Sequence, residues 1–376
     1  MQNAYQTTMY EQLMQLVKDS ETFYFQDFDL DGRTYRIFNY RLSTYTEFLR
    51  PSALECRGHM FRVAADGSAE LVALPMQKFF NLNENPFTMN LDLSQVDSVD
   101  LKADGSLMST FMHKDELRFK SKGSLFSQQA IDACKFIDQP ENLKLKSWLT
   151  IAAEQGYTVN LEWCAPHNRI VIGYLKPHLT VLNARHMTNG TYMNDTTLHE
   201  YFQEHAIAKV DVQGLDTATF VQSIPAMLED IEGYVGRIGD LWFKVKTEKY
   251  MSLHHAKDSI NNPRRLFEAV VDEGVDDLRS LFHTDALAMQ QIDEMQEKVT
   301  KLYNHMVELI ETYYEQNKGL TQKEYAIKGQ LPESMDRMYF GLAMNKYSKK
   351  IVDYKDFLKK HYAELGFNDT SVDVSA

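Results

Sequence analysis

The stretch VDLKADGSLMSTF, residues 99–111, decides how the rest of the chain is read. Val99 and Leu101 alternate with polar neighbours, Asp104-Gly105 marks a bend, and Leu107 opens a second apolar run. Period-two runs on either side of a turn dipeptide predict two strands joined by a tight connection. Lys102 stands where the first strand meets the turn. On a surface such a lysine needs no explanation; inside a ligand pocket it is a candidate nucleophile.

Composition narrows the field first. A chain of 376 residues is too long for one small core, and two domains are the natural expectation. With 44% apolar residues and 12% aromatics it can bury real cores. No window approaches 18 uncharged apolar residues, and the N-terminal MQNAYQTTMYEQ lacks a basic-then-apolar leader, so a cytoplasmic protein without membrane spans is expected. Cys56, Cys134 and Cys164 are odd in number and show no C-x-x-C spacing, which argues against a disulfide framework or a zinc site. A net charge of −13 argues against a general polyanion binder but leaves room for a local basic surface.

The texture of the chain changes once. Up to about residue 256 it consists mostly of short period-two runs, among them RTYRIFNY, ELVALP, LRFKSKG, YTVNLEW, RIVIGYL, LTVLNAR, EGYVGRI and LWFKVKT. Beyond that point the helical period takes over. Asn262-Pro263 reads as a helix start, a polar cap before a first-turn proline. Ile292, Met295, Val299, Leu302, Met306, Leu309 and Tyr313 recur at spacings of three and four, an apolar stripe best read as core packing. Gly319, Gly329 and Pro332 punctuate the later helices, and NDTSVDVSA reads as a frayed tail. The expectation is an α+β, antiparallel-sheet domain over 1–256 followed by an all-helical domain over 257–376.

Several chemistries lose their usual support. The chain contains no G-x-x-x-x-G-K-[ST], no G-x-G-x-x-G after a strand, no H-E-x-x-H and no G-x-S-x-G. What remains is a set of charged residues at strand positions. Leu117, Phe119 and Ser121 share one strand face and leave Arg118, Lys120 and Lys122 on the other. Trp242, Lys244 and Lys246 share a face, Glu162 lies opposite Val159, Leu161 and Trp163, and Glu232 precedes a glycine where another group can approach the backbone. Each strand alone reads as a solvated polar face. Together they hold what is needed to bind a nucleoside triphosphate with a metal and to attack it with an amine.

A free lysine amine, with a pKa of about 10.4, is a poor nucleophile near neutrality. Desolvation and nearby cations, here Lys244, Lys246 and a bound Mg²⁺, would lower that value. The amine would attack the α-phosphorus, pyrophosphate would leave, and a lysyl phosphoramidate would result. Glu162 and Glu232 would hold the sugar or the metal, since hard Mg²⁺ takes one or two carboxylates plus substrate phosphates.

Lys102-Ala103-Asp104-Gly105 resembles the K-x-D-G of the covalent nucleotidyltransferases, the ATP-dependent ligases and messenger-RNA capping enzymes. Glu162 in LEW, Glu232-Gly233 in EGYV and Lys244-x-Lys246 in FKVK follow in the order of that superfamily's later motifs. ALECRG, PMQKFFNLNENPFTMN, FKSKGS, APHNRIV and the stretch from EGYV to SLH are similar to the tRNA-repair RNA ligases of T-even bacteriophages. The likeness is dense from about residue 31 to 262 and thinner in the helical tail, where NNPRRLF and DDL carry it.

This resemblance implies an ATP-dependent RNA ligase that joins 3′-hydroxyl and 5′-phosphate ends through lysyl-AMP and adenylylated-RNA intermediates. Its substrate would be tRNA cut in the anticodon loop, met in the host cytoplasm if a phage encodes the chain. Lys102 would be the adenylylated nucleophile, Glu162 would contact the ribose, and Glu232 would bind Mg²⁺. Lys244 and Lys246 would contact the AMP phosphate, while Arg57, Lys78 and Lys122 would hold the triphosphate. Lys120 and Tyr250 match residues of the later steps, and no obligate protein partner is implied. Three rivals stand beside this reading, a purely structural protein being the blandest. A non-catalytic RNA-end binder would not need Lys102, Lys244 and Lys246 together. A DNA ligase or capping enzyme would carry an OB-fold after FKVK, where this chain turns helical.

Overall fold

The computed structural model describes residues 4–168, 172–254, 262–283, 285–331 and 334–367. Contacts divide the chain into two compact units, Met1–His254 and His255–Ala376.

The first unit is built on three four-stranded sheets. Strands β1 (Phe23–Leu30), β2 (Arg33–Tyr40), β3 (Met60–Val63) and β4 (Ala69–Ala73) form an antiparallel meander. Helix α1 (Ala4–Asp19) covers it, setting Met9, Leu13 and Leu16 against Phe23, Phe38, Phe61 and Leu71. The second sheet runs in the order β5 (Phe80–Asn81), β12 (Leu241–Lys246), β11 (Gly233–Ile238), β6 (Ser98–Lys102). Its pairs are antiparallel apart from the short β12–β5 contact. The third runs β10 (His178–His186), β9 (Tyr157–Cys164), β7 (Ser106–His113), β8 (Glu116–Ser121).

The third sheet is buried on one face by α2 (Gln128–Ile137) and α3 (Leu143–Glu154). Ala130, Ala133, Ile137, Leu145 and Leu149 meet Leu117, Phe119, Val159, Leu161 and Trp163 there. That packing commits Lys120 and Glu162, the alternate residues, to the opposite face. The unit also contains the short helices α4 (Asp195–Phe202), α5 (Thr217–Ser223) and α6 (Glu248–His254). The fold class is α+β with antiparallel sheets.

The two strands and tight connection expected over 99–111 are present as β6 and β7, joined by residues 103–105. They belong to different sheets: the chain leaves one at Lys102 and enters another at Ser106. A turn dipeptide suits a crossing between sheets as well as a hairpin, and packing decides which forms. RIVIGYL is not seen as a strand: residues 169–171 lie outside the described residues, and 172–175 form bends and loop.

In the second unit, α7 (Pro263–Val271) starts as expected, with the Asn262 side chain accepting from the Arg264 and Arg265 amides. It is followed by α8 (Val275–Leu281), α9 (Ala286–Asn317), α10 (Gln322–Gly329), α11 (Phe340–Tyr347) and α12 (Tyr354–Lys360). Ile292, Val299, Met306 and Tyr313 are buried as read, but Met295, Leu302 and Leu309 are only half-buried. Gln296, Tyr303, Val307 and Ile310 take the inner positions instead. Alternating threes and fours give a repeat of 3.5, whereas a straight helix turns every 3.6 residues, so the buried face drifts by about 20° per heptad. Pro332 and the NDTSVDVSA tail lie outside the described residues. No described helix is long and apolar enough to cross a membrane.

Candidate functional site

The centre of the site is a hydrogen-bonded row across three strands. Strand β11 lies between β12 and β6, and its first residue, Gly233, is in register with Lys246 on one side and Lys102 on the other. Gly233 has φ +148°, and a Cβ there would come within 2.0 Å of the Val245 carbonyl oxygen. The turn at this glycine brings Glu232, the residue before the strand, back between both lysines. Its Oε2 accepts from Lys102 Nζ at 2.8 Å, and its Oε1 lies 3.0 Å from Lys246 Nζ. Behind it, the Thr247 amide donates to the Glu232 carbonyl at 3.0 Å, and the Thr247 hydroxyl donates to the Ile231 carbonyl.

Glu232 is buried, its side chain 4% exposed, whereas the Lys102 side chain keeps 22% of its surface. Burial alone would raise the Glu232 carboxyl, but Lys102 and then Lys246 outweigh it and hold the group below its ordinary value. The sequence reading looked for cations around Lys102. The group in direct contact with it is a carboxylate.

A cavity of about 220 Å³ opens beside this row. Arg57, Lys102 and Glu162 line it, with Phe79, Val235 and Trp242 supplying flat or apolar wall. Gly105 also lines it, and a Cβ there would sit 2.3 Å from the Trp163 carbonyl oxygen, so the crossing from β6 to β7 packs directly on the β9 backbone. Glu162, in register with Leu107 and Thr180, faces the cavity while Val159, Leu161 and Trp163 fill the core behind. Burial, with the negative charges of Glu232 and Asp104, pushes the Glu162 carboxyl up to about 7 against the opposing pull of Lys102 and Arg57. Asp104 is buried and accepts from Tyr250 Oη at 2.9 Å and from the Ile172 amide at 2.6 Å. Tyr250 thereby braces the turn, and its ring lies 5.1 Å from Lys246 Nζ.

The remaining cations fall into two pairs and a single lysine. Lys120, expected on a polar strand face, is fully buried and donates to the Gly58 carbonyl at 2.7 Å. Burial, helped by the charge of Arg57, lowers its pKa to about 7. Arg57 follows the turn Ala53–Glu55, and its Nη1 is buried with no hydrogen-bond partner among the described residues. Lys78 and Lys122 converge on the Tyr40 ring, at 5.8 and 4.4 Å from its centroid. Lys244 shares the face of Lys246 on β12, in register with Val235 and paired to β5 at Asn81.

The donors suit a cation that arrives on phosphates rather than one held in a protein cage. Among the described residues no group of three or more His, Cys, Asp and Glu gathers to hold a metal. Glu162 on the cavity wall and Glu232 beside Lys102 supply two carboxylates, and the Arg57 donor left unpaired among the described residues marks a place for an anion. That combination fits a divalent cation on a nucleotide.

Sequence reading missed the cavity's apolar wall and the buried pair of Glu55 with Arg185. Trp242 shares a strand face with two lysines, and that was its signal. Glu55 and Arg185 are 130 residues apart and carried none.

Comparison with known proteins gives the chain a family. A family model described as RNA ligase matches residues 55–251, and one described as T4 RNA ligase 1, C-terminal domain, matches residues 257–364. The chain belongs to the RNA ligase family. RNA ligase 1 of bacteriophage TS2126 is 26% identical over 288 residues, covering 74% of this chain and 70% of that one. A putative RNA ligase of Thermovibrio ammonificans is 24% identical over 249 residues, and the match spans 64% of each chain, less than two thirds of that relative's length. Among solved structures, an archaeal ATP-dependent RNA ligase (form 2) aligns with a TM-score of 0.47 at 8% identity, covering 91% of this chain and 96% of that one.

Proposed function

We propose that the chain is an ATP-dependent RNA ligase whose nucleophile is Lys102. The observation that carries this reading is the Lys102 amine, held by Glu232 at 2.8 Å on the wall of a cavity that also presents Arg57 and Glu162. In the first step the deprotonated Lys102 Nζ attacks the α-phosphorus of ATP. An N–P bond forms as the amine gives up a proton to solvent, the bridging P–O bond to the β-phosphate breaks, and pyrophosphate leaves. A 5′-phosphate oxygen of RNA then displaces the lysine, which takes back a proton, and gives adenylylated RNA. Last, a 3′-hydroxyl attacks the RNA 5′-phosphorus, AMP leaves, and the hydroxyl proton passes to solvent.

The side chains divide this work. Glu232 fixes the Lys102 amine and would hold the Mg²⁺ that accompanies the nucleotide. Glu162 contacts the ribose. Lys244 and Lys246 stabilise charge on the AMP phosphate, and Arg57, Lys78 and Lys122 orient the triphosphate so that pyrophosphate departs in line. Lys120 and Tyr250 serve the two RNA steps. When bound, Mg²⁺ supplies neutralising charge at the phosphate oxygens. Incubation with α-labelled ATP and Mg²⁺ tests the reading: label should become attached to the protein through an acid-labile bond. Absence of label in folded protein would overturn it.

The substrate in this proposal is tRNA broken in its anticodon loop, chosen by the helical unit. A fragment of residues 1–256 should then form enzyme-AMP and join simple oligoribonucleotides. It should lose the full chain's preference, in kcat/KM, for a broken anticodon stem-loop over a plain strand. An unchanged ratio would remove the recognition role.

A further inference from the structure

Two cavities in the first unit share a wall made of residues 54–57 and 76–79. Arg57, Met76 and Phe79 line the cavity of Lys102, whereas Leu54, Glu55 and Gln77 line a second one of about 590 Å³. The two segments of the wall are tied by the Lys78 amide donating to the Leu54 carbonyl at 2.8 Å. On the far side, Arg185 of β10 grips Glu55 with both ends of its guanidinium, at 2.8 and 3.0 Å. Arg185 Nη1 also donates to the Pro75 carbonyl at 2.8 Å, and Gln77 Nε2 donates to Glu55 Oε1 at 2.6 Å. His59 Nε2 lies 3.0 Å from Glu55 Oε2.

This ion pair is removed from water, the Arg185 and Glu55 side chains being 3% and 9% exposed. Burial alone would raise the Glu55 carboxyl, yet His59 and Arg185 hold it well below the usual range. Buried pairs are a poor way to add stability, because desolvation offsets their attraction. They do fix geometry. Glu55 and Arg57 are joined within one tight turn, the Arg57 amide donating to the Glu55 carbonyl at 2.6 Å. The Arg57 guanidinium meanwhile keeps a buried nitrogen without a partner among the described residues. A donor held ready in this way needs a rigid support.

We infer that the Arg185–Glu55 pair, completed by Gln77, is a positioning device that aims Arg57 at the phosphates of the nucleotide from behind the cavity wall. The inference rests on the reading of Arg57 as a triphosphate clamp. It assigns to three residues outside the nucleotide cavity an effect on the first chemical step and none on the last.

The test uses the full chain with Glu55→Gln, Arg185→Lys, Gln77→Met and Arg57→Ala, each checked for folding by circular dichroism and thermal melting. Glu55→Gln and Arg185→Lys should slow enzyme-AMP formation by about tenfold or more, with a raised KM for ATP, as small misplacements do. Gln77→Met should show the same effect more weakly. Sealing of pre-adenylylated RNA should stay within about twofold of the parent in all three, since the triphosphate is absent from that step. Combined with Arg57→Ala, Glu55→Gln should add no further loss, because both act through one group. Normal enzyme-AMP formation in folded Glu55→Gln and Gln77→Met, or losses that multiply with Arg57→Ala, would overturn the inference. If Glu55→Gln and Arg185→Lys fail to fold, Gln77→Met, which removes one hydrogen bond from a half-buried side chain, decides alone. An Arg57→Ala protein of normal activity would instead overturn the clamp reading, and the inference with it.

Discussion

The strand-built unit and the helical unit place their charges differently. In the first, Glu232 with Lys102 and Lys246, and Glu55 with Arg185, form ion pairs largely shielded from water. In the second, Lys301–Glu297, Lys318–Glu315 and Lys360–Asp356 are exposed pairs three or four residues apart along the chain. An exposed pair contributes about 0–1 kcal/mol, whereas a buried one carries a desolvation cost that only fixed geometry and further hydrogen bonds offset. Both units also carry exposed pairs, such as Arg62–Glu70 in the first, but in each described pair of the helical unit at least one partner is a third or more exposed.

The largest effect should come from Lys102. Lys102→Ala should abolish enzyme-AMP formation while still sealing RNA supplied with an adenylylated 5′ end, and Lys102→Arg should be equally inactive in the first step because arginine stays protonated. A folded Lys102→Ala protein unable to seal such RNA would break the assignment. Next come the two lysines of β12. Lys246→Ala and Lys244→Ala should each slow adenylylation by about 10²-fold or more if both stabilise transition-state charge. Rates near those of the parent would show the face to be merely solvated.

A third effect is a matter of pH. Glu162 is raised from 4.5 to about 7, so between those values the folded chain holds a proton that the unfolded chain has released. The stability this group contributes is therefore complete below about 4.5 and declines as pH climbs to 7. Lys120, lowered from 10.5 to about 7, acts in the opposite sense: its contribution is present above 10.5 and is lost as pH falls through 7. Melting temperatures of parent minus Glu162→Gln should slope downward from pH 4.5 to 7, and those of parent minus Lys120→Met upward from 7 to 10. Flat differences would mean that both groups are better solvated than the structure shows. The smallest effect belongs to the helices. Lys301→Ala should change unfolding free energy by no more than about 0.5 kcal/mol in a denaturant titration.

Much of the site was legible because strands write themselves in period two. The alternation in YTVNLEW and LWFKVKT separated Glu162 and Lys246 from their core-facing neighbours correctly. Their solvation was not legible. A polar face reads the same whether it meets water or another sheet, and Lys120 turned out to be fully buried. Partnership was hidden for a different reason. Lys102 and Glu232 are 130 residues apart, and strand order, which brings them together, is set by packing across the whole unit. The tight connection at Asp104-Gly105 was legible because the dipeptide suits one, but not that it links two different sheets. What the turn residues cannot record is that β9 presses against Gly105 from outside.

The shared row of Lys102, Gly233 and Lys246 also governs which sequence changes the chain tolerates. Spacing among Lys102, Lys246 and Glu232, the residue before Gly233, is set by backbone ladders rather than by the length of the chain between them. Insertions into the exposed loop around Asp211–Leu215, which lies between Lys102 and Glu232, should therefore leave the spacing intact. One residue added within β11 would shift the ladder by a step and turn alternate side chains to the opposite face. Any attempt to graft this arrangement onto another scaffold is thus free in loop length and bound in strand register.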